Sequence, residues 1–365
     1  MKLKTLFILS MVLIFSVLLS GCSASAMQTN SWSGLSADAD TAYLANGSLV
    51  YAITLKNGGQ LWQYPADGAD NKEAYFANPV LTDDGQLLIA SAGSNHSLTS
   101  LDTANGTANW TFADALAPWL GSPAVVDETI YAPNSDGSLY ALDMNGNLLW
   151  EKEIGGAMWS QPVSDGKMLY ITSLDHNIYA LNLASQEIDW SVSVEGAIPG
   201  SAAIDEAGNL YVGSFGANVA SINTSSKSIA WDSEIAGWVW DAPTLDGETL
   251  YVGDLEGNFH AINTSDGSEV FAPVKLNGPI IGSPLVLDDF IVVGTEGNLE
   301  TEEFGKAYAI DREGGIVWQQ TINGQLYTAP VQGGDLILFS PMEADSVLVA
   351  LDLDGRQVWP FTPEK

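Results

Sequence analysis

Residues 121 to 154 read GSPAVVDETIYAPNSDGSLYALDMNGNLLWEKEI, and this stretch decides the fold. Four short apolar runs, Pro123 to Val126, Thr129 to Ala132, Ser138 to Leu142 and Leu148 to Ile154, are separated by Asp127-Glu128, Asn134 to Gly137 and Asn145-Gly146. Short runs rich in Val, Ile, Leu and Tyr read as strands. Asn, Asp and Gly between them tolerate the positive φ that tight hairpin turns require. The stretch predicts four antiparallel strands, and no segment of it sustains the 3.6-residue periodicity of a helix.

Outward from this unit, the aromatic of its fourth run recurs. Trp62, Trp110, Trp150, Trp190, Trp231, Phe271, Trp318 and Trp359 are spaced by 48, 40, 40, 41, 40, 47 and 41 residues. A period near 40, punctuated by turn residues, belongs to propeller blades of about four strands each. The expected fold is all-β: one eight-bladed β-propeller of four-stranded antiparallel blades over residues 31–365. Blades must meet face to face, and a large flat ring at one fixed site per blade can seal each seam where a small residue leaves room. Gly58, Gly106, Gly146, Gly267, Gly314 and Gly355 let the outer hairpin close, with Gln186 and Lys227 in that place in two repeats. Ring closure is expected from an overlap of residues 28–35 with the C-terminal hairpin, Val347 to Phe361.

The 365 residues are 46% hydrophobic and carry 45 acidic against 12 basic side chains, a formal charge of −33. So few cations cannot build the basic patch that a phosphate backbone demands, which excludes nucleic-acid partners. The single cysteine permits no internal disulfide. Lys2 and Lys4 precede an apolar run from Leu6 to Leu19 that ends in Leu19-Ser20-Gly21-Cys22. A positive start, a short apolar middle and small residues before a cut are the layout of a secretory signal. With Cys directly after the small residues, the segment resembles a bacterial lipoprotein signal. That resemblance implies removal of the residues before Cys22, lipid attachment at Cys22 and a polar tether over residues 23–30. The expectation is an exported monomer held at an envelope membrane: the outer membrane if the cell has one, otherwise the outer face of the cytoplasmic membrane.

The repeat is best kept at Ser100-Leu101-Asp102, Gly106 and Trp110. There it resembles the tryptophan-docking motif of pyrroloquinoline quinone (PQQ)-type eight-bladed propellers, and the likeness covers nearly the whole mature chain. One branch, the quinoprotein alcohol dehydrogenases, uses an adjacent-cysteine ring over the quinone and a calcium held by Glu, Asn and Asp. This chain has no cysteine after Cys22 and no acidic cluster matched to those ligands. The other branch is the lipoprotein propeller of outer-membrane β-barrel assembly, the BamB family, which the chain resembles in length, lone cysteine and repeat number. That resemblance implies a non-catalytic platform for envelope proteins. No cofactor is expected on this reading, while PQQ and calcium stay open.

Catalytic and metal signatures are sparse. His96, His176 and His260 fall in repeats 2, 4 and 6, and the chain has no His-x-x-x-His, Gly-x-Ser-x-Gly or phosphate-loop motif. The tryptophans outside the seams are more informative. Phe76, Trp159, Trp240 and Tyr327 each stand three residues before a proline that opens a blade, Trp119 stands four before Pro123, Trp32 three before Leu35, and Trp238 two before Trp240. These rings are expected to form a collar around one mouth of the axial channel, either as a binding surface or as a plug. Asp175, Asp254, Glu256, Glu302 and Glu303 lie in turns expected on the same side, as a rim for a basic partner or as solubilising charge. The reading is a non-catalytic, membrane-anchored scaffold for a protein partner. The alternatives are a receptor that stacks a glycan or quinone-like ring on the collar, and a PQQ-dependent oxidoreductase.

Overall fold

A computed structural model describes residues 32–298, 301 and 303–363. Its strands group into eight four-stranded antiparallel sheets that follow one another along the chain. A two-residue pairing of Gln325–Leu326 with Pro341–Met342 is added near the last of them. In the first blade β1 (Gly34–Ala37), β2 (Thr41–Asn46), β3 (Leu49–Thr54) and β4 (Gln60–Tyr64) pair in that order. The expected all-β, eight-bladed propeller is the fold of the chain.

The deciding stretch forms strands at Ala124–Val126, Thr129–Pro133, Ser138–Asp143 and Leu148–Glu153, each boundary within one residue of expectation. Val126 pairs with Thr129 across Asp127 and Glu128, which sit at φ 47° and 59°. Positive φ at both central residues gives a two-residue turn whose twist matches that of the flanking strands.

The core is not one cluster but eight, one in each gap between neighbouring blades. Ile178 and Ala180 of blade 4, for example, pack with Leu210, Val212 and Ile222 of blade 5. The middle strands of each blade are covered on both faces, so runs such as Leu210-Tyr211-Val212 are buried without alternation. Fourth strands have only one covered face, and Glu187–Ser193 alternates between exposed and half-buried.

Each seam tryptophan pairs with the small residue of its own third strand, as in Ala52 opposite Trp62 and Ser100 opposite Trp110, with a register shift just after. Its ring then reaches the next blade. Five indoles donate Nε1–H to a carbonyl there, Trp62 to Thr103 at 2.8 Å and Trp359 to Leu55 at 3.0 Å among them. A Cβ on Gly106 would lie 2.5 Å from the Trp62 ring, so the glycine is needed for close approach. Only Trp62 and Trp359 are buried, while the other six aromatics are half-buried. Phe271 lies outside regular pairing, since the outer strand of blade 6 shrinks to a bridge at Glu269 and the pair Val274–Lys275.

Of the expected overlap, residues 28–31 lie outside the described residues, and the described part pairs within blade 1. Gly34 and Leu35 pair with Ala45 and Leu44 inside blade 1, and the C-terminal hairpin pairs within blade 8. The ring closes by packing: Leu35, Tyr51 and Leu55 share a cluster with Leu348, Trp359 and Phe361.

Candidate functional site

Six hydrogen bonds fix which loops share a face. In blades 2 to 7 the backbone N–H just after the second strand reaches the loop entering that blade: Ala92 to Ala74, Ser135 to Pro118, Leu174 to Ala157, Phe215 to Ala197, Leu255 to Trp238 and Glu296 to Pro279. The blade crossings and the turns between second and third strands therefore lie together.

Each repeat places one equivalent residue just ahead of its first strand: Trp32, Phe76, Leu120, Trp159, Pro199, Trp240, Ile281 and Tyr327. All eight line one cavity of about 420 Å³. A cavity to which every blade contributes at one register lies on the axis. Trp32 meets Phe76 edge-on at 4.8 Å and Trp240 at 6.1 Å between ring centroids. Blades 1 and 6 are not neighbours, so the second contact spans the mouth. Trp240 continues to Phe215 at 5.4 Å, and Phe215 to Trp238 at 5.5 Å. Tyr327 donates its hydroxyl to Glu296 at 2.6 Å. Burial, reinforced by that carboxylate, pushes the phenol above its ordinary range. Side-chain bonds between blades hold the floor in place: Ser122 to the Asn78 carbonyl at 3.0 Å, Gln161 to Pro123 at 2.8 Å and Ser201 to Gln161 at 2.8 Å.

Two of the expected collar residues stand elsewhere. Trp119 is 0% exposed, packs on Tyr140 at 5.3 Å and donates to the His96 carbonyl at 2.7 Å, so it belongs to the core. The one-residue offset from its proline was the signal, and Leu120 holds its place in the cavity. Trp238 does not line the cavity but stands 55% exposed at the end of the aromatic row. Phe215 joins that row from a turn of blade 5, at a position where the equivalent residues of blades 2, 3, 4, 6 and 7 are not aromatic. Leu116 and Phe304, 78% and 52% exposed, add apolar surface to the loops of this face.

The acidic rim is also altered. Asp175 is half-buried and accepts from the Gly156 N–H, the Tyr179 hydroxyl and the Asn177 N–H at 2.7 to 3.1 Å. Burial works to raise its carboxyl, but those donors outweigh it and hold the group below the usual carboxylate range. Asp254 is fully buried, where His260 Nε2 at 3.1 Å and Asn258 satisfy it. The other ring nitrogen of His260 meets Glu269 at 2.7 Å. Burial lowers the His260 pKa, yet the two carboxylates prevail and raise it to about 9. Both aspartates thus fasten their own turns rather than face a partner. Glu256 and Glu303 are exposed, as a rim requires. Cys22 and Glu302 lie outside the described residues.

The donor set does not suit a quinoprotein centre. PQQ is a tricarboxylate, whereas the cavity lining holds Asp241 as its one carboxylate and contains no Lys or Arg. Among the described residues, no group of three or more His, Cys, Asp or Glu could hold a metal ion.

Comparison with known proteins accords with this architecture. A family model described as "Outer membrane protein assembly factor BamB" matches residues 21–196, 175–274, 216–303 and 278–364. The assembly factor BamB of Legionella pneumophila (strain Paris) is 30% identical over 134 residues, 36% of this chain and 32% of that protein. The match thus spans about a third of that relative. Longer matches reach BamB of Moranella endobia (strain PCIT), 26% identical over 75% of this chain and 72% of the relative, and of Yersinia pestis, 26% identical over 71% and 68%. The crystal structure of BamB from Moraxella catarrhalis has a TM-score of 0.70 at 18% identity, covering 84% of this chain and 92% of that one. The computationally designed Ika8 protein reaches 0.71 at 12% identity, covering 92% and 98%. Those two likenesses speak for the fold, which a designed ring shares. The family match runs through every blade, and on that ground the chain belongs to the family of the outer membrane protein assembly factor BamB.

Proposed function

We propose that this protein is a non-catalytic scaffold in outer-membrane protein assembly, which binds an envelope protein through the face that carries the axial mouth. The family match over all eight blades is the observation that carries this reading. The layout of that face supports it. Aromatic residues cluster at the mouth, Leu116, Trp238 and Phe304 offer exposed anchors, and Glu256 and Glu303 supply negative charge around them. A few well-seated aromatics can carry most of the energy of such an interface. The proposal includes export by residues 1–22, lipidation of Cys22, and residues 23–30 as a tether between the membrane and the propeller, 31–365.

Crosslinking in the native cell tests the partner. Pull-down from detergent-solubilised membranes should recover an envelope assembly protein with the wild-type chain and lose it with Trp159→Ala plus Trp240→Ala. Equal recovery would overturn the role of this face. The cavity favours one second reading, a receptor for a small aromatic or glycan ligand. That reading predicts a shift of tryptophan fluorescence with a ligand panel in the absence of any protein.

A further inference from the structure

We propose that the axial cavity is a receptor for one arginine side chain, presented on a loop of the protein partner. The inference rests on the scaffold reading and adds to it the chemical group that enters the mouth.

The cavity departs from the repeat at one position. The residue after each collar position is small and neutral, such as Ser33, Gly121 or Ser160, except in blade 6, where it is Asp241. Its Oδ1 accepts the Ala242 N–H at 2.8 Å and its Oδ2 the Ser283 N–H at 3.0 Å. Two backbone donors fix the carboxylate but leave lone pairs on both oxygens, since an ionised carboxylate accepts about four hydrogen bonds. Among the described residues, no Lys, Arg or His pairs with it. Asp175 and Asp254, in turns of this face, each accept at least three donors. Asp241 accepts two and lines the cavity.

The walls beside it suit a cation. Trp240 adjoins Asp241 in the chain and contacts Trp32 and Phe215. Ring faces carry negative potential and attract a guanidinium within about 6 Å. Arginine fits better than lysine, because its planar group stacks on indole while its fork engages a carboxylate. A formal charge of −33 adds a field that draws cations and repels anions. About 420 Å³ admits a long side chain but not a helix, whose diameter is about 10–12 Å.

The test uses the full chain in non-ionic detergent, titrated with N-acetyl-arginine methylamide and with its neutral isostere, N-acetyl-citrulline methylamide. Indole N–H resonances and tryptophan fluorescence are the readouts. The arginine probe should saturate with an affinity at least about 10-fold above that of citrulline, a factor worth about 1.4 kcal/mol. Asp241→Asn should abolish that preference. Trp240→Leu, which leaves Asp241 in place, should weaken arginine binding by about 10-fold and serves if the first variant does not fold. Equal binding of the two probes, or an unchanged preference in a folded Asp241→Asn, overturns the proposal. If partner crosslinks are lost in Trp159→Ala plus Trp240→Ala but persist in Asp241→Asn, and no arginine preference exists, the scaffold reading stands and the arginine site falls. An arginine preference without any partner crosslink at this face supports the site and removes the scaffold reading.

Discussion

The seam between blades 8 and 1 and the seams on either side of blade 4 use the same aromatic in different ways. At the first, Trp359 is buried, donates to the Leu55 carbonyl and lies over Gly58, where a Cβ would stand 2.6 Å from the ring. At the others, Gln186 and Lys227 stand in the place of the glycine with the same positive φ, 59° and 55°, and Trp150 and Trp190 are not among the five indoles that donate to a carbonyl of the next blade. The glycine is therefore required by the ring and not by the turn alone. Where it is missing, ion pairs cross the seam instead. Lys152 reaches Glu187 at 2.6 Å and the Gln186 carbonyl at 2.7 Å, and Lys227 reaches Asp189 at 2.8 Å. Tight aromatic docking serves the closing seam and connected seams such as that of Trp62 alike, while on either side of blade 4 polar ties take its place.

The largest expected effect is at the closing seam. Trp359→Ala should cost about 3–5 kcal/mol in denaturant unfolding, clearly more than Trp150→Ala. Equal losses would erase the distinction. Blade 6 sharpens it as a third case, since its interrupted outer strand is held by Glu269 and His260. A raised His260 pKa contributes stability that is fully present below the unfolded value near 6.5 and is lost as pH rises through about 9. Melting followed from pH 6 to pH 10 should show a loss of roughly 2–3 kcal/mol that His260→Gln flattens. Next, Gly58→Ala should cost about 1–3 kcal/mol through overlap with the Trp359 ring, whereas Gln186→Gly should change stability by less than about 1 kcal/mol. The smallest effect is that of Lys227→Met, below about 1 kcal/mol and vanishing at high salt, because the Asp189 pair is exposed. A salt-independent loss would mean that the lysine stem packs on Trp190.

Different parts of the molecule were legible to different degrees. Strand limits in residues 121–154 could be read to within one residue because short apolar runs and the turn residues that bound them are encoded locally. The collar was legible wherever a proline kept the register, at Phe76, Trp159, Trp240 and Tyr327, and it failed by one step at Trp119. Phe215 could not be found by this route, since it arrives from a different turn and its counterparts, Ala92, Ser135, Leu174, Leu255 and Glu296, are not aromatic. Asp175 and Asp254 looked like surface charge because a turn aspartate reads the same whether its donors come from water or from Tyr179 and His260.

By itself the sequence determined the repeat, the number of blades, the strand order within them and the ring that seals each seam. These follow from spacing and from φ preferences that act over a few residues. Only the tertiary structure decided which acids are spent on their own loops, how the described residues of the last blade pack on the first, and that the eight collar positions enclose a single cavity with Asp241 in its wall. Closure and the cavity depend on side chains about 40 residues or more apart meeting in space, and the acids on burial and on nearby donors that only the folded loop brings within reach.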